Sequence, residues 1–333
     1  GLSTRQVMGE KNFAQISEAL GMSINIKKLA EEFATNEEIG DKCYKIYSLA
    51  KAKKKTTREI WKALDYDDLP YSFVKEVENA IIKYKEDFGL YEFSDFIENC
   101  KEPLDVDLFI IDEAQDLTKQ QWDFARVLAK RAPHIILAGD DDQAIFNWAG
   151  AEVEEFLKIK AEVKILPRSY RLPKPIHAFA NKLVKKIRSR HKKDWVSNET
   201  TEGGVHWTNY LENLDLNHGE WLMLARNRYQ LQELKRNEEY RGVIYHLNGV
   251  WSTQKPAIKA AVYYETLRNG KKVSYDKVKT IAKFIKDMPA IKNSRELAWE
   301  DIDWPFKGSP DWRTALNAMG RADKNYIVNL RRN

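Results

Sequence analysis

The spacing of apolar residues predicts helices in the first part of the chain. The clearest example is SFVKEVENAIIKYKEDFG, residues 72–89, in which apolar side chains recur at helical spacing. The residues of this apolar face are Phe73, Val77, Ile81, Tyr84 and Phe88. Gly89 supplies a stop, because glycine readily adopts the left-handed backbone that follows many helices. We therefore expect residues 1–104 to be mostly helical.

Two short sequences have the pattern of a capping box, in which a Ser or Thr pairs with a Glu or Gln three residues later. Thr56 and Glu59 form the first pair, and Thr118 and Gln121 form the second. Each pair predicts the start of a helix. The basic run KAKKKTTR, residues 51–58, is predicted to be a solvated face.

The pattern changes at residue 105, where short apolar runs alternate with amphipathic segments. Strand, helix, strand, helix and strand are predicted for DLFIID, TKQQWDFARVLAKR, HIILAGD, AEVEEFLK and VKIL. This alternation is typical of a parallel α/β sheet. The run Leu108–Ile111 is short and entirely apolar, which predicts a strand buried on both faces.

The alternation continues after residue 166 and then gives way to a second helical segment. Strands are predicted for GVHWTNY, WLMLA and GVIYHL, and helices for residues 173–188 and 227–239. From about residue 250 the chain is again helical and polar. These patterns predict four segments: 1–104, 105–166, 167–248 and 249–333.

Acidic residues follow two of the predicted strands. Asp112 and Glu113 end the first, and Asp140, Asp141 and Asp142 follow the second. An isolated acidic pair would be interpreted as a solvated turn, but the carboxyl ends of parallel strands meet at the ligand-binding edge of a sheet. Converging carboxylates repel one another unless a cation lies among them. Mg²⁺ suits such a site, because it takes oxygen ligands and keeps several waters.

The composition permits nucleic acid as a partner without requiring it. The chain has 333 residues, 43% of them hydrophobic, with a net charge of +5, and it contains 10 Trp and 15 Tyr. Flat rings are suited to stacking on bases, although most of these side chains are expected in the core. Cys43 and Cys100 are expected to be reduced and half-buried. No apolar stretch approaches membrane-spanning length.

Three motifs in fixed order resemble those of the UvrD/Rep/PcrA family of superfamily 1 DNA helicases. They are DEAQD at residues 112–116, GDDDQAIFNWAGA at 139–151 and SYRLP at 169–173. The segment WLMLARNRYQLQEL is similar to the family's second motor domain. The resemblance is strong over residues 110–245, and it implies an α/β fold with RecA-like parallel-sheet motor domains of the P-loop NTPase type and helical inserted subdomains.

The resemblance also divides the chain into domains. Residues 105–166 match part of the first motor domain and 167–248 part of the second. Residues 1–104 and 249–333 match the helical insertions of the first and second motor domains, respectively. We expect both motor domains and the second insertion to be incomplete in this chain.

The resemblance assigns ATP and Mg²⁺ to the acidic strand ends. Asp112 is expected to hold the metal, and Glu113 to position or deprotonate the attacking water. Gln143 matches the glutamine that senses the γ-phosphate and couples it to DNA. Arg171 matches an arginine finger, and Tyr170 the aromatic residue that stacks on adenine; without the motif, Arg171 would be interpreted as a surface residue.

The same resemblance assigns single-stranded DNA to the third motif. Phe146 and Trp148 match aromatic residues that stack on bases, although Phe146 is as readily interpreted as a core residue. Trp148 has small and polar neighbours, which favours an exposed ring. The basic stretch KKIRSRHKKDW, residues 185–195, either follows DNA phosphates or is a solvated helix end. Gln115 and Asp116 are expected to support the site.

One family element does not occur in the sequence. A nucleotide motor needs a phosphate loop of the form G-x-x-x-x-G-K-[ST], and no such string is present. NGKKVS near residue 270 has no glycine at the required spacing. The family's fifth and sixth motifs are also not seen. We therefore expect an internal helicase segment that is inactive alone and needs the missing segments for activity.

The sequence thus predicts part of an ATP-dependent DNA helicase or translocase, moving 3′ to 5′ by resemblance. Its partners are expected to be single-stranded DNA and single/double-strand junctions, in the bacterial cytoplasm, nucleoid-associated or phage-encoded. The alternative is a non-catalytic single-stranded-DNA-binding or regulatory module derived from a helicase. A metal-dependent phosphoesterase is disfavoured, because the histidines and spaced carboxylates of a two-metal site are missing.

Overall fold

The computed structural model describes residues 6–26, 37–66, 68–210, 213–216, 218–247 and 249–330. The chain forms two compact units, residues 1–209 and 210–333. Among the described helices, none combines the length and the apolar character that crossing a membrane requires.

The N-terminal part of the first unit is helical, as the apolar spacing predicts. Its helices are α1 Glu10–Leu20, α2 Ile39–Lys53, α3 Thr57–Leu64, α4 Tyr71–Phe88 and α5 Phe93–Asn99. The predicted capping box starts α3: the Thr56 amide donates to Glu59 Oε2 at 2.8 Å, and the Glu59 amide donates to Thr56 Oγ1 at 3.2 Å. Gly89 ends α4 with a left-handed φ of 61°.

The core of this helical part lies between α2 and α4. Val74, Val77 and Ile81 of α4 are fully buried, and so is Cys43 of α2. The predicted face was wrong at its end, because Phe88 is 64% exposed. Cys43 is also more buried than expected, and burial raises the pKa of its thiol to about 12. Cys43 and Cys100 are both free thiols.

The basic run at residues 51–58 is only in part the solvated face that the sequence suggested: Lys55 and Arg58 are exposed, but three of its lysines are paired with acids. Lys53 pairs with Glu152 at 2.7 Å, and Lys54 pairs with Asp123 at 2.8 Å. Lys51 points into a carboxylate cluster described below. These acids lie on other elements of the first unit, so the run joins the helical part to the following α/β part.

Two lysines and two acids form a nearly buried charge cluster between α2, α4 and α5. Lys51 contacts Glu92 at 3.1 Å and Asp95 at 2.5 Å, while Lys85 contacts them at 3.2 and 2.8 Å. Burial alone would raise the pKa of Asp95, but hydrogen bonds from Lys51 and Lys85 outweigh burial and hold the pKa below its usual value. The cluster therefore stabilises the packing of these helices when Asp95 is ionised.

The lowered pKa of Asp95 makes this part of the protein sensitive to acid. A carboxylate with a depressed folded-state pKa stabilises the fold above its unfolded value of about 3.9, and this contribution is lost as the pH falls through the folded value. We expect the urea midpoint, followed by circular dichroism, to fall steeply below pH of about 4. Asp95→Asn should lower the midpoint at neutral pH and flatten this acid limb, whereas the exposed Asp87→Asn should do neither. An unchanged acid limb in Asp95→Asn would contradict the assignment.

The α/β part contains two adjacent parallel strands. Its elements are β1 Leu108–Ile111, α6 Lys119–Leu128, β2 His134–Leu137 and α7 Val153–Leu157. Leu108 pairs with His134 and Ile111 with Leu137. The second predicted capping box starts α6, where the Thr118 amide donates to Gln121 Oε1 at 2.9 Å and the Gln121 amide donates to Thr118 Oγ1 at 3.2 Å.

The prediction that β1 is buried on both faces was wrong for the described residues. Ile110 is 59% exposed, and Leu108 is exposed as well. The physical reason is that, within the described ranges, β1 and β2 pair only with each other. A two-stranded ribbon lacks the neighbouring strands and the helical layers that cover a larger sheet.

The rest of the first unit contains a second parallel pair. β3 Arg168–Pro173 pairs with β4 Val196–Asn198, and α8 Lys174–Val184 lies between them in sequence. The predicted strands VKIL and GVHWTNY are not formed. Strand geometry needs a hydrogen-bonding neighbour, and neither segment has one among the described residues. Parallel β-strand pairs and helices are therefore present, but no larger RecA-like sheet is formed by the described residues.

The second unit is mostly helical, with two short antiparallel strand pairs. Its helices are α9 Arg228–Arg241, α10 Pro256–Arg268, α11 Tyr275–Ala282, α12 Trp312–Ala315 and α13 Arg321–Leu330. The strand pairs are β5 His246–Leu247 with β6 Val250–Trp251, and β7 Val273–Ser274 with β8 Glu296–Leu297. WLMLA forms no strand, and only the end of GVIYHL does. The core of this unit is centred on Tyr264, Trp312 and Leu316.

Candidate functional site

The tips of β1 and β2 lie side by side, as expected for neighbouring parallel strands. The backbone ladder continues beyond both strands: the Ala138 amide donates to the Ile111 carbonyl at 2.8 Å, and the Ala114 amide donates to the Ala138 carbonyl at 3.0 Å. The acidic residues that follow the two strands are therefore held at one edge.

Glu113 has an unusual backbone conformation at this edge. Its φ of 51° and ψ of 41° lie in the left-handed region, which costs a non-glycine residue about 1–3 kcal/mol. Asp112 Oδ1 accepts a hydrogen bond from the Glu113 amide at 2.9 Å, and both side chains are exposed. Strained residues of this kind cluster at functional sites.

Gln115 joins the two strand tips through its side chain. It is 1% exposed; its Nε2 donates to Glu113 Oε2 at 2.8 Å, and its Oε1 accepts from the Asp140 amide at 3.0 Å. Gly139 permits this arrangement, because a Cβ at that position would lie 2.7 Å from Gln115 Oε1. Gln115 therefore links the two strand tips, and its supporting role at a catalytic site stays a prediction.

Asp116 lies beside Glu113 in a less polar setting. Its Oδ1 is buried without a hydrogen-bond partner among the described residues. Burial, followed by the charge of Glu113, raises the pKa of Asp116. The edge therefore concentrates negative charge, and the exposed carboxylate of Asp112 is suited to a hydrated cation such as Mg²⁺.

Gln143 belongs to the same hydrogen-bonded path. Its Nε2 donates to Asp140 Oδ2 at 2.7 Å, while Asp140 Oδ1 accepts from the Asp142 amide at 3.2 Å. The path thus runs from Glu113 through Gln115 and Asp140 to Gln143. Sequence reasoning identified its two ends but did not identify Asp140 as the link.

The charge partner of Asp140, Asp141 and Asp142 is a basic segment of the same unit. Arg190 and Lys193 form ion pairs with these carboxylates. These two residues belong to the basic stretch 185–195, for which the sequence left open a DNA-phosphate surface or a solvated helix end. They neutralise acids that the sequence suggested would attract Mg²⁺. No group of three or more His, Cys, Asp or Glu side chains arranged to hold a metal occurs in the described part of the chain.

The aromatic residues of the third motif lie at the surface of this unit. Phe146 is 42% exposed. Of the two positions that the sequence allowed for it, in the core or at the surface, the structure shows the surface position. Trp148 is half-buried rather than exposed, and its ring centroid lies 6.4 Å from that of Phe146 at an angle of 48°. The small and polar neighbours of Trp148 in sequence predicted an exposed ring, and this prediction was wrong.

Tyr170 and Arg171 lie on β3 and are exposed. Tyr170 is 79% exposed, and the Arg171 amide donates to Ser169 Oγ at 3.3 Å. Among the described residues, no hydrogen bond or ion pair joins Tyr170 or Arg171 to Glu113 or Gln143. The described hydrogen bonds therefore link Glu113 to Gln143 and include neither the Tyr170 nor the Arg171 side chain.

Comparison with known proteins identifies relatives of this region. The UvrD/REP helicase N-terminal domain family matches residues 6–164. The chain is 34% identical over 138 residues to a probable DNA helicase II homolog of Rickettsia conorii, covering 38% of this chain and 21% of the relative. It is 27% identical over 184 residues to the ATP-dependent DNA helicase PcrA of Bacillus subtilis, covering 53% and 24%.

A third relative is also a DNA helicase. The chain is 39% identical over 79 residues to DNA helicase II of Haemophilus influenzae, covering 22% of this chain and 11% of the relative. The matched part spans less than a quarter of each of these three relatives. Residues 6–164 of this chain are therefore similar to the N-terminal domain of UvrD/REP helicases, and the relatives named above are DNA helicases of the DNA helicase II and PcrA type.

Proposed function

We propose that this chain carries part of the ATP site and of the single-stranded-DNA surface of a superfamily 1 DNA helicase. The observation that supports it best is the hydrogen-bonded path from Glu113 to Gln143 across two strand tips. A nucleotide motor must connect the group that orients the attacking water with the group that responds to the γ-phosphate. This path provides such a connection in a site whose sequence is that of a helicase family.

The residues at the strand tips have roles that fit phosphoryl transfer. Asp112 is suited to hold Mg²⁺ through water, and Glu113 to orient the attacking water and accept its proton. The Gln115 amide donates to Glu113 Oε2, which restricts the carboxylate to one orientation. Gln143 would contact the γ-phosphate. Mg²⁺, when bound, would neutralise the charge of the phosphates.

The second group of ATP-site residues comes from β3. We propose that Arg171 neutralises charge on the transferred phosphoryl group and that Tyr170 stacks on adenine. Both side chains are exposed, so both are available to a nucleotide. Tyr170 and Arg171 lie well after Glu113 and Gln143 in sequence, which is consistent with an ATP site shared by two motor domains. We propose that residues 105–166 belong to the first motor domain and 167–248 to the second, with helical insertions at 1–104 and 249–333.

The direction of movement, the DNA substrate and the further motifs required for activity are proposed from the family resemblance alone. We propose movement from 3′ to 5′, action on single-stranded DNA and on single/double-strand junctions, and a requirement for a phosphate loop and later motifs that the 333 residues do not contain. The 333-residue chain is accordingly expected not to hydrolyse ATP by itself.

The third-motif surface gives a prediction for DNA binding. Phe146→Ala should weaken binding of an oligothymidylate, measured by fluorescence anisotropy at fixed salt, because stacking of one base on an aromatic ring contributes roughly 1–3 kcal/mol. Trp148→Ala should weaken binding less, because Trp148 is half-buried and exposes less of its ring to a base. Affinity should fall with salt in all variants, since phosphate contacts release counterions.

A matched control for this experiment is Phe88→Ala. Phe88 is also an exposed phenylalanine of the first unit, but it lies at the end of α4. Its removal should leave the affinity unchanged. If Phe146→Ala and Phe88→Ala bind equally well, Phe146 does not belong to the DNA surface.

A further inference from the structure

The acidic turn after β2 is covered by a basic segment that lies about fifty residues later in sequence. Arg190 Nε and one terminal nitrogen contact the two carboxylate oxygens of Asp142, each at 2.6 Å. This two-point geometry fixes both side chains, and both are nearly buried. Hydrogen bonds from Arg190, followed by Lys193, hold the pKa of Asp142 below its usual value against the opposing effect of burial.

Lys193 is the residue of this segment that contacts all three acids. Its ammonium lies 2.5 Å from Asp140 Oδ1, 2.6 Å from Asp141 Oδ1 and 3.2 Å from Asp142 Oδ2. The His191 backbone amide adds a bond to Asp141 Oδ2 at 2.8 Å. Burial would lower the pKa of Lys193, but the hydrogen bonds to Asp140 and Asp141 raise it, so the lysine remains charged.

The two oxygens of Asp140 connect Lys193 to Gln143. Oδ1 accepts from Lys193, and Oδ2 accepts from the Gln143 side-chain amide at 2.7 Å. We propose that Lys193, seated by the Arg190–Asp142 pair, is a positioning residue that fixes the side chain of Gln143 through Asp140. The consequence for catalysis rests on the proposed function, in which Gln143 responds to the γ-phosphate.

The physical reason is the high density of negative charge at the turn. Three consecutive carboxylates repel one another, and Arg190 pairs with Asp142 rather than with Asp140. Without Lys193, Asp140 Oδ1 would keep only the longer bond from the Asp142 amide, and the Asp140 side chain would turn more readily towards water. Gln143 would then lose the fixed acceptor of its amide. The same lysine therefore determines whether Gln143 is held, and any movement of residues 190–193 away from the turn would release it.

Side-chain NMR of the 333-residue chain tests this contact directly. In protein labelled with ¹⁵N-glutamine, the Gln143 amide signal is assigned by its loss in Gln143→Glu. Lys193→Met should shift this signal towards the position of a free glutamine and speed its exchange with water about tenfold, because a hydrogen bond to a charged group is lost or weakened. Lys193→Arg keeps the charge and should largely preserve the signal.

Lys192→Met is the matched control, since Lys192 is the exposed neighbour in the same segment. It should leave the Gln143 signal in place, and the signals of Gln120 and Gln121 should not move in any variant that remains folded. An unchanged Gln143 signal in Lys193→Met, or an equal change in Lys192→Met, would overturn the proposal. If Lys193→Met does not fold, the NMR signal of the Lys193 side-chain ammonium is measured in the wild-type protein. A signal that exchanges slowly with water supports the contact between Lys193 and Asp140, and the absence of such a signal contradicts it.

A second readout separates this proposal from the proposed function. In protein expressed from the complete reading frame, Lys193→Met should lower kcat for ATP hydrolysis with little change in KM. If the NMR signal shows that Gln143 is released but kcat is unchanged, Lys193 still positions Gln143, and the role of Gln143 in ATP turnover is wrong.

Discussion

Replacing Glu113 by Gln is expected to lower ATP turnover by about 10²–10⁴-fold in protein expressed from the complete reading frame. An amide cannot accept the proton of the attacking water, but it has nearly the size and shape of the carboxylate. Nucleotide binding should therefore persist. The measurement is phosphate release with saturating single-stranded DNA and Mg²⁺, together with binding of a fluorescent ATP analogue.

The exposed Glu162→Gln is the control for loss of one negative charge in the same unit. It should retain wild-type turnover. If Glu113→Gln hydrolyses ATP at a rate close to that of the wild type, the acid at the end of β1 has another role. Loss of nucleotide binding together with turnover would instead indicate a structural role for Glu113.

The second large effect is expected for Gly139→Ala. The new Cβ would lie 2.7 Å from Gln115 Oε1 and 3.1 Å from Phe156 Cζ. Gln115 has little freedom to move, because both ends of its amide are hydrogen-bonded and it is buried. Overpacking of this kind costs about 1–3 kcal/mol, and displacement of Gln115 would also release Glu113.

Hydrogen exchange gives a local measurement of this effect. The Asp140 amide, which donates to Gln115 Oε1, should exchange faster in Gly139→Ala, and turnover of the complete protein should fall as well. Gly320→Ala is the control, since a Cβ at Gly320 meets no atom within 4 Å. Unchanged protection of the Asp140 amide would show that the strand tips tolerate the methyl group, and that the close approach to Gln115 is not required.

Local patterns predicted the parts of the fold that depend on local interactions. The capping boxes at Thr56 and Thr118 both form, because the paired side chains lie three residues apart on the same helical turn. Helix α4 begins and ends within one residue of its predicted bounds. The strand–helix–strand order predicted that β1 and β2 belong to one parallel sheet, but it left open whether they are direct neighbours, as they are, or next but one.

The burial of strands was not predictable in this way. An apolar run such as Leu108–Ile111 has the composition of a covered strand, but its exposure depends on how many other strands and helices pack on it. GVHWTNY and WLMLA have suitable composition too, yet they form no strand in the described part of the chain. Sequence pattern shows which segments are able to pair, whereas tertiary context determines whether a partner is present.

The basic residues that pair with the acidic turn were also not predictable from local sequence patterns. The sequence placed three aspartates after a strand and a basic stretch around residue 190, and each had a separate interpretation. The contact between them joins Asp142 to Arg190, which are 48 residues apart. Charge complementarity over that distance does not identify partners, because the chain contains 55 basic and 50 acidic residues.

DNA-stimulated ATP hydrolysis is the most direct measurement of whether this site belongs to a helicase motor. Protein expressed from the complete reading frame should hydrolyse ATP in the presence of Mg²⁺, and the rate should rise on addition of single-stranded DNA. The 333-residue chain, assayed in parallel, should bind the DNA without hydrolysis. Hydrolysis that is indifferent to DNA, or DNA binding by the complete protein without any ATP turnover, would contradict the assignment, and the second result would identify a non-catalytic DNA-binding module.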